Sequence, residues 1–105
     1  MAGNGKSMLY VGIDDDYFGG MTPIGTIIRD AWVFGILPES ETCAGWTHDR
    51  IQEVYDKVVS AWEPYGHLVS QLPPELRERH QRIHDVAVQR ARSLGWVASV
   101  DEDET

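Results

Sequence analysis

The stretch PIGTIIRDAWVFGIL, residues 23–37, is the densest apolar run in the chain and decides the fold. Thr22 before Pro23 is typical of a helix N-cap followed by proline in the first turn, and Pro38 disfavours helical geometry in the residue before it. The run therefore predicts a helix over residues 23–37. Because it is shorter than the roughly 20 residues that cross a bilayer and contains Arg29 and Asp30, we expect a buried central helix.

Two further helices, each with one apolar stripe, are predicted to cover the central helix. The second spans residues 48–62, and Pro64 and Gly66 follow it. The third begins at Pro73-Pro74 and ends at Gly95, which suits a left-handed C′ position with Trp96 folded back onto the last turn. The second stripe consists of Ile51, Val54, Tyr55, Val58 and Trp62. The third consists of Leu76, Ile83, Ala87, Ala91 and Leu94, with His80 in its gap.

The predicted fold class is mainly α, a small three-helix bundle around the buried central helix. Residues 8–13 (MLYVGI) are β-prone and predict one short strand. Such a strand needs a partner, for which residues 96–100 are the candidate. The chain of 105 residues has the size of one domain. We expect a mobile N-terminus over residues 1–7, a single globular domain over 8–100 and an acidic disordered tail over 101–105.

Charge and cysteine content limit the classes of partner and location. The formal net charge of −8 makes nucleic acid an improbable partner and favours solubility or a basic protein surface. We expect a protein partner or a homodimer. The lone Cys43 cannot form an internal disulfide, so a reducing compartment fits. No signal-peptide pattern or membrane span is evident, and we expect a cytoplasmic protein.

The pair His80-x-x-x-His84 is the strongest pattern for a metal. Two histidines at this spacing share one helix face, as in zinc-binding helices. Gln81 stands where a metalloprotease has its glutamate, so no general base is supplied. With a carboxylate or another histidine nearby, this pair could hold zinc or iron. A core histidine beside a surface histidine is the structural alternative, and no cofactor is favoured.

The acidic run Asp14-Asp15-Asp16 directly follows the β-prone segment. A hydrophobic strand that leads into Asp-x-Asp resembles the opening motif of haloacid-dehalogenase-type phosphotransferases. The resemblance implies that Asp14 is the nucleophile, that Asp16 handles the leaving-group proton, and that carboxylate oxygens bind Mg²⁺. Tyr17-Phe18 stands where that family has a small-residue loop, and the chain is too short for its doubly wound sheet. These departures favour a solvated acidic turn.

The remaining candidate features indicate a surface rather than an active site. Cys43 lies beside Glu39 and Glu41, which oppose formation of a thiolate. Tryptophans are enriched at protein interfaces, and the third helix has a basic outer face. The predicted interaction surface consists of Trp46, Trp96, Arg77, Arg79 and Arg82. Since no nucleophile–base pair, complete metal motif or phosphate loop is present, we expect a non-catalytic accessory or interaction protein. A metal-binding protein using His80 and His84 is the alternative, and a Mg²⁺-dependent phosphate enzyme built on Asp14 and Asp16 ranks last.

Overall fold

The computed structural model describes residues 9–97, which form three α-helices joined by loops and short 3₁₀ turns. The helices are α1 (Pro23–Val33), α2 (His48–Trp62) and α3 (Pro74–Ser93), and the described part of the chain contains no strand. This confirms the expected mainly helical fold class. The predictions for residues 1–7 and 101–105 lie outside the described residues. The 3₁₀ turns are Ile13–Asp15, Tyr17–Gly19, Glu63–Tyr65 and Val69–Gln71.

Helix α1 begins as the sequence predicts and ends four residues earlier. The Thr22 hydroxyl accepts a hydrogen bond from the Gly25 amide, with Pro23 in the first turn. The helix ends at Val33 because Gly35 takes a φ of +73°, a backbone conformation in which glycine meets no Cβ penalty. The Ile36 amide then donates to the carbonyl of Ala31 over 2.8 Å, which closes a Schellman motif. The prediction of a helix to residue 37 is therefore wrong.

Helix α2 spans the predicted residues 48–62, and Thr47 caps it by accepting from the Arg50 amide. Four of the five stripe residues are buried, whereas Tyr55 is 44% exposed. The Trp62 indole donates to the Asp30 carboxylate of α1 over 3.1 Å. This hydrogen bond and the apolar stripe fix α2 against α1.

Helix α3 ends in the predicted motif. Gly95 has a φ of +99°, and the Trp96 amide donates to the Ala91 carbonyl over 2.9 Å. Ile83 and Ala91 are buried, but Leu94 is 53% exposed, so the apolar stripe stops one turn before its predicted end.

The predicted strand over residues 8–13 is absent from its described part, which starts at residue 9. Tyr10 exchanges backbone hydrogen bonds with Gly45 and Trp46, and the Ile13 amide donates to Thr42. Ile13 then opens a 3₁₀ turn, so the contact is too short for a ladder. The segment therefore pairs with the α1–α2 loop, and no backbone hydrogen bond joins it to residues 96–97. The rest of the candidate partner, residues 98–100, lies outside the described part of the chain.

Helix α1 is the central element, because it contacts both α2 and α3. Its two flanks contribute to separate clusters of buried side chains. One cluster joins α1 and α2 and continues to Leu72, and the other joins α1 to the N-terminal segment and to Cys43. The helix is not apolar all round, since Arg29 is buried and Thr26 is exposed. Among residues 9–97, none of the helices combines the length and apolar character that crossing a bilayer requires.

Candidate functional site

A cleft of about 420 Å³ lies between α1 and α3, and Trp96 also lines it. Its volume is within the range of small-ligand sites. The polar lining comes from Thr26, Arg29, Asp30, His80 and His84. The remaining wall consists of apolar side chains from both helices and Met21. This combination makes the cleft the best candidate site for a small molecule.

Arg29 is the one charged residue that is buried among residues 9–97, with 9% of its surface exposed. Its guanidinium donates to the Gly20 carbonyl over 2.8 Å and to the Thr26 hydroxyl over 3.2 Å. Within the described residues, the ion pairs are Arg82–Glu39 and Arg90–Asp14, so no carboxylate lies within 4.0 Å of Arg29. Burial lowers the pKa of Arg29, and the charges of Asp30, Tyr10 and Asp16 partly offset this effect.

Asp30 lies beside Arg29 in the sequence and lines the same cleft. Burial raises the pKa of Asp30, and the Trp62 hydrogen bond together with the charges of His80 and Arg29 offsets only part of the rise. One carboxylate oxygen is occupied by the Trp62 indole. Asp30 therefore has a structural role toward α2 and also places negative charge in the cleft.

The predicted histidine pair faces this cleft. The rings of His80 and His84 are nearly parallel, with centroids 6.2 Å apart, and the His80 ring lies edge-on to Trp62. No group of three or more His, Cys, Asp or Glu side chains within residues 9–97 is placed to hold a metal ion. Binding of a metal by this pair would therefore need side-chain movement to bring in a third ligand, and it stays a prediction.

The three aspartates of the acidic run have different environments. Asp14 forms an exposed ion pair with Arg90 over 2.8 Å, and Asp15 is exposed. Asp16 accepts hydrogen bonds from the Tyr10 hydroxyl at 2.7 Å, the Thr22 hydroxyl at 2.6 Å and the Tyr17 amide at 2.7 Å. The carboxylates of Asp14 and Asp16 thus have intramolecular partners, and the run serves as a structural turn.

Cys43 is fully buried in the cluster with Ile13, Ile28 and Ile51. Burial and the negative charge of Glu41 raise the pKa of the Cys43 thiol to about 11, although the positive charge of Arg50 acts to lower it. The thiol is therefore protonated at neutral pH, whereas a nucleophilic cysteine requires the thiolate.

The residues of the predicted interaction surface make different contacts in the structure. Trp46 packs against both core clusters, and the Arg50 guanidinium lies 3.8 Å from its ring centre. Arg79 donates to the Val33 carbonyl over 2.9 Å, and Arg82 pairs with Glu39 over the same distance. Trp96 lines the cleft, and Arg77 is exposed. The interaction surface proposed from these five residues stays a prediction.

Sequence reasoning missed Arg29 and Asp30 as site residues. Their signal was available, because an adjacent cation and anion inside a dense apolar run must each find a polar partner or reach a cavity.

Comparison of the chain with protein-family models, curated proteins and solved structures finds no match to any of them.

Proposed function

We propose that this chain is a small non-catalytic interaction protein, and that its binding surface is the outer face of α3. We define the outer face as the exposed side chains of Glu75, Glu78, Arg82, Asp85, Val86, Gln89 and Arg92. A shallow depression of about 660 Å³ runs along most of it. Val86, at the edge of this face, is 60% exposed. The proposal rests on this long exposed helix face, which combines an apolar side chain with charges of both signs.

The charge order along α3 favours a second copy of the chain as the occupant. Glu75 is in the first turn of the helix and Arg92 is in the last. If two copies of α3 pack antiparallel about a two-fold axis near residue 84, Glu75 lies opposite Arg92 of the second copy. Arg82 and Asp85 are paired by the same symmetry. Self-complementary contacts of this kind are what a two-fold interface requires.

We expect a monomer–dimer equilibrium that depends on these charges. Sedimentation equilibrium should show that Glu75→Arg and Arg92→Glu each raise the dimer dissociation constant about tenfold, since each creates like charges across the axis. The double variant should restore dimerisation. Val86→Asp should weaken the dimer, whereas Val11→Asp, at a site with 57% exposure outside α3, should not. A chain that is monomeric at all concentrations, or a double variant no better than the single ones, would contradict the proposal.

Metal binding by His80 and His84 is the second candidate function. It is supported by the position of both side chains in one cleft together with the Asp30 carboxylate. A metal protein should show saturable amide shifts at both histidines with micromolar Zn²⁺ in ¹⁵N-labelled protein. His84→Gln should abolish them, and His48→Gln, on the exposed first turn of α2, should leave them unchanged. Shifts that survive in His84→Gln would reject this candidate.

The cytoplasm remains the proposed location, on the ground that Cys43 has no cysteine partner in the chain.

A further inference from the structure

We infer that the cleft between α1 and α3 binds a small monocarboxylate with an apolar body, and that Arg29 is the residue that binds the carboxylate. This site is separate from the outer face of α3 and does not depend on the proposed dimer. The inference rests on the burial of Arg29, the hydrogen bonds that its guanidinium makes, and the composition of the cleft wall.

The buried guanidinium has five N–H donors, and the described residues supply two acceptors for them. Its two terminal nitrogens donate to Gly20 and Thr26, which are neutral acceptors, and among residues 9–97 no group accepts a hydrogen bond from Nε. Within the described residues, no fully buried side-chain nitrogen or oxygen lacks a partner. Arg29 keeps 9% of its surface exposed and lines the cleft, so a ligand in the cleft can reach this side chain.

A buried cation without a carboxylate partner is costly, and an anion that binds beside it removes part of that cost. Arginine is suited to a carboxylate because its planar fork can donate two parallel hydrogen bonds. A ligand that brings the carboxylate from solution would complete an ion pair that the described residues leave open.

The other lining residues of the cleft determine which chemical group the ligand should have besides its carboxylate. Val33, Ile83, Val88 and Trp96 form apolar walls, which would desolvate a small hydrocarbon or aromatic group. The Asp30 carboxylate lines the same cleft and would repel any negative charge that a ligand carries beyond the one carboxylate bound by Arg29. A monocarboxylate with an apolar body fits these walls better than a dicarboxylate or a free phosphate does.

The test uses benzoate as the probe and benzyl alcohol as its uncharged analogue. Benzoate added to the full ¹⁵N-labelled chain should shift the Nε–H signal of Arg29 saturably, with a dissociation constant of about 1 mM or below. Benzyl alcohol should bind at least about tenfold more weakly, since it lacks the charge-assisted hydrogen bonds. Absence of a saturable shift, or equal binding of the two probes, would overturn the inference.

Variants that keep Arg29 avoid the risk that its replacement unfolds the protein. Val88→Phe fills the cleft and should weaken benzoate binding at least about tenfold. Val86→Phe makes the same change on the exposed side of α3, and should have no effect. Asp30→Asn removes the competing charge, while its amide oxygen can still accept from Trp62, so affinity should be equal or higher. Binding that survives Val88→Phe, or that is lost in Asp30→Asn, would overturn the assignment.

A carboxylate could reach Arg29 from solution or from the acidic residues 101–104 of the same chain. Replacing Asp101 and Asp103 with asparagine and Glu102 and Glu104 with glutamine separates these sources. If the chain supplies its own carboxylate, this variant should bind benzoate more tightly because a competitor is gone, and its Arg29 signal should change before benzoate is added. If the carboxylate comes from solution, the affinity and the starting signal should stay the same.

Discussion

Gly25→Ala should lower the free energy of unfolding by about 3 kcal/mol, although alanine is the better helix former by about 1 kcal/mol. A Cβ at Gly25 would lie only 1.9 Å from the carbonyl oxygen of Gly20 and 2.7 Å from its carbon. Both are backbone atoms, so no side-chain rotation can relieve the overlap. The Gly20 carbonyl is also held by Arg29, which prevents the loop from moving away freely. Urea denaturation at neutral pH measures the loss.

Gly35→Ala is the matched control for this prediction. It makes the same chemical change, but the added Cβ has no atom within 4 Å. Its cost should be only that of placing alanine at a positive φ, about 1 kcal/mol. The order of the two variants is the decisive result. If Gly25→Ala is no less stable than Gly35→Ala, α1 does not pack against residue 20 as the structure has it.

Asp16→Ala should cost about 2–3 kcal/mol, because it removes an ionised acceptor that three donors share. The hydrogen bond from the Thr22 hydroxyl makes the loss of stability larger than expected for a residue in a partly exposed turn. The Thr22 hydroxyl donates to Asp16 and accepts from the Gly25 amide, so Asp16 orients the residue that caps α1. The same urea titration, with helix content followed by circular dichroism, reports the change.

The two neighbouring aspartates are internal controls for Asp16. Asp15→Ala should change stability by less than about 0.5 kcal/mol, since Asp15 is exposed. Asp14→Ala loses one exposed ion pair and should cost at most about 1 kcal/mol. Three equal effects would mean that the run acts as a uniform acidic patch, and would contradict the separate role of Asp16.

The pKa of Asp16 adds a pH signature to this prediction. Burial acts to raise it, but the hydrogen bonds from Thr22, Tyr10 and the Tyr17 amide outweigh burial, and the pKa is lower than the ordinary value of 3.8. Because the folded pKa is depressed, the stabilisation is present above the unfolded pKa and is lost as the pH falls through the folded one. The difference between wild type and Asp16→Ala should therefore shrink in acid.

The parts of the fold that sequence reasoning predicts correctly depend on local rules. Thr22 and Thr47 cap their helices, and Gly95 ends α3, because each signal needs only neighbouring residues. Gly35 obeys the same rule as Gly95 but lies inside an apolar run, where hydrophobicity suggested that the helix continues. The strand prediction failed because β-propensity does not specify a partner, and the available partner is a loop.

The candidate site was less accessible to sequence reasoning than the fold. The cleft that Arg29 and Asp30 line depends on where α3 packs, and no spacing within the central run encodes that position. His80 and His84 were predicted from their helical spacing, and they do face one cleft. Their pattern could not show that Trp96, beyond the end of the helix, lines the same cleft. Sites built across helices require the tertiary contacts to be known.

The position of Cys43 allows local opening of the native protein to be measured from the rate at which its thiol is modified. The chain has a single cysteine, and it is fully buried in the cluster that joins the N-terminal segment to α1. A thiol reagent can reach it only during the moments when that cluster is open, so the modification rate counts those events. With no engineered label, the stability of this half of the core can be followed in wild type and in each variant under fully native conditions.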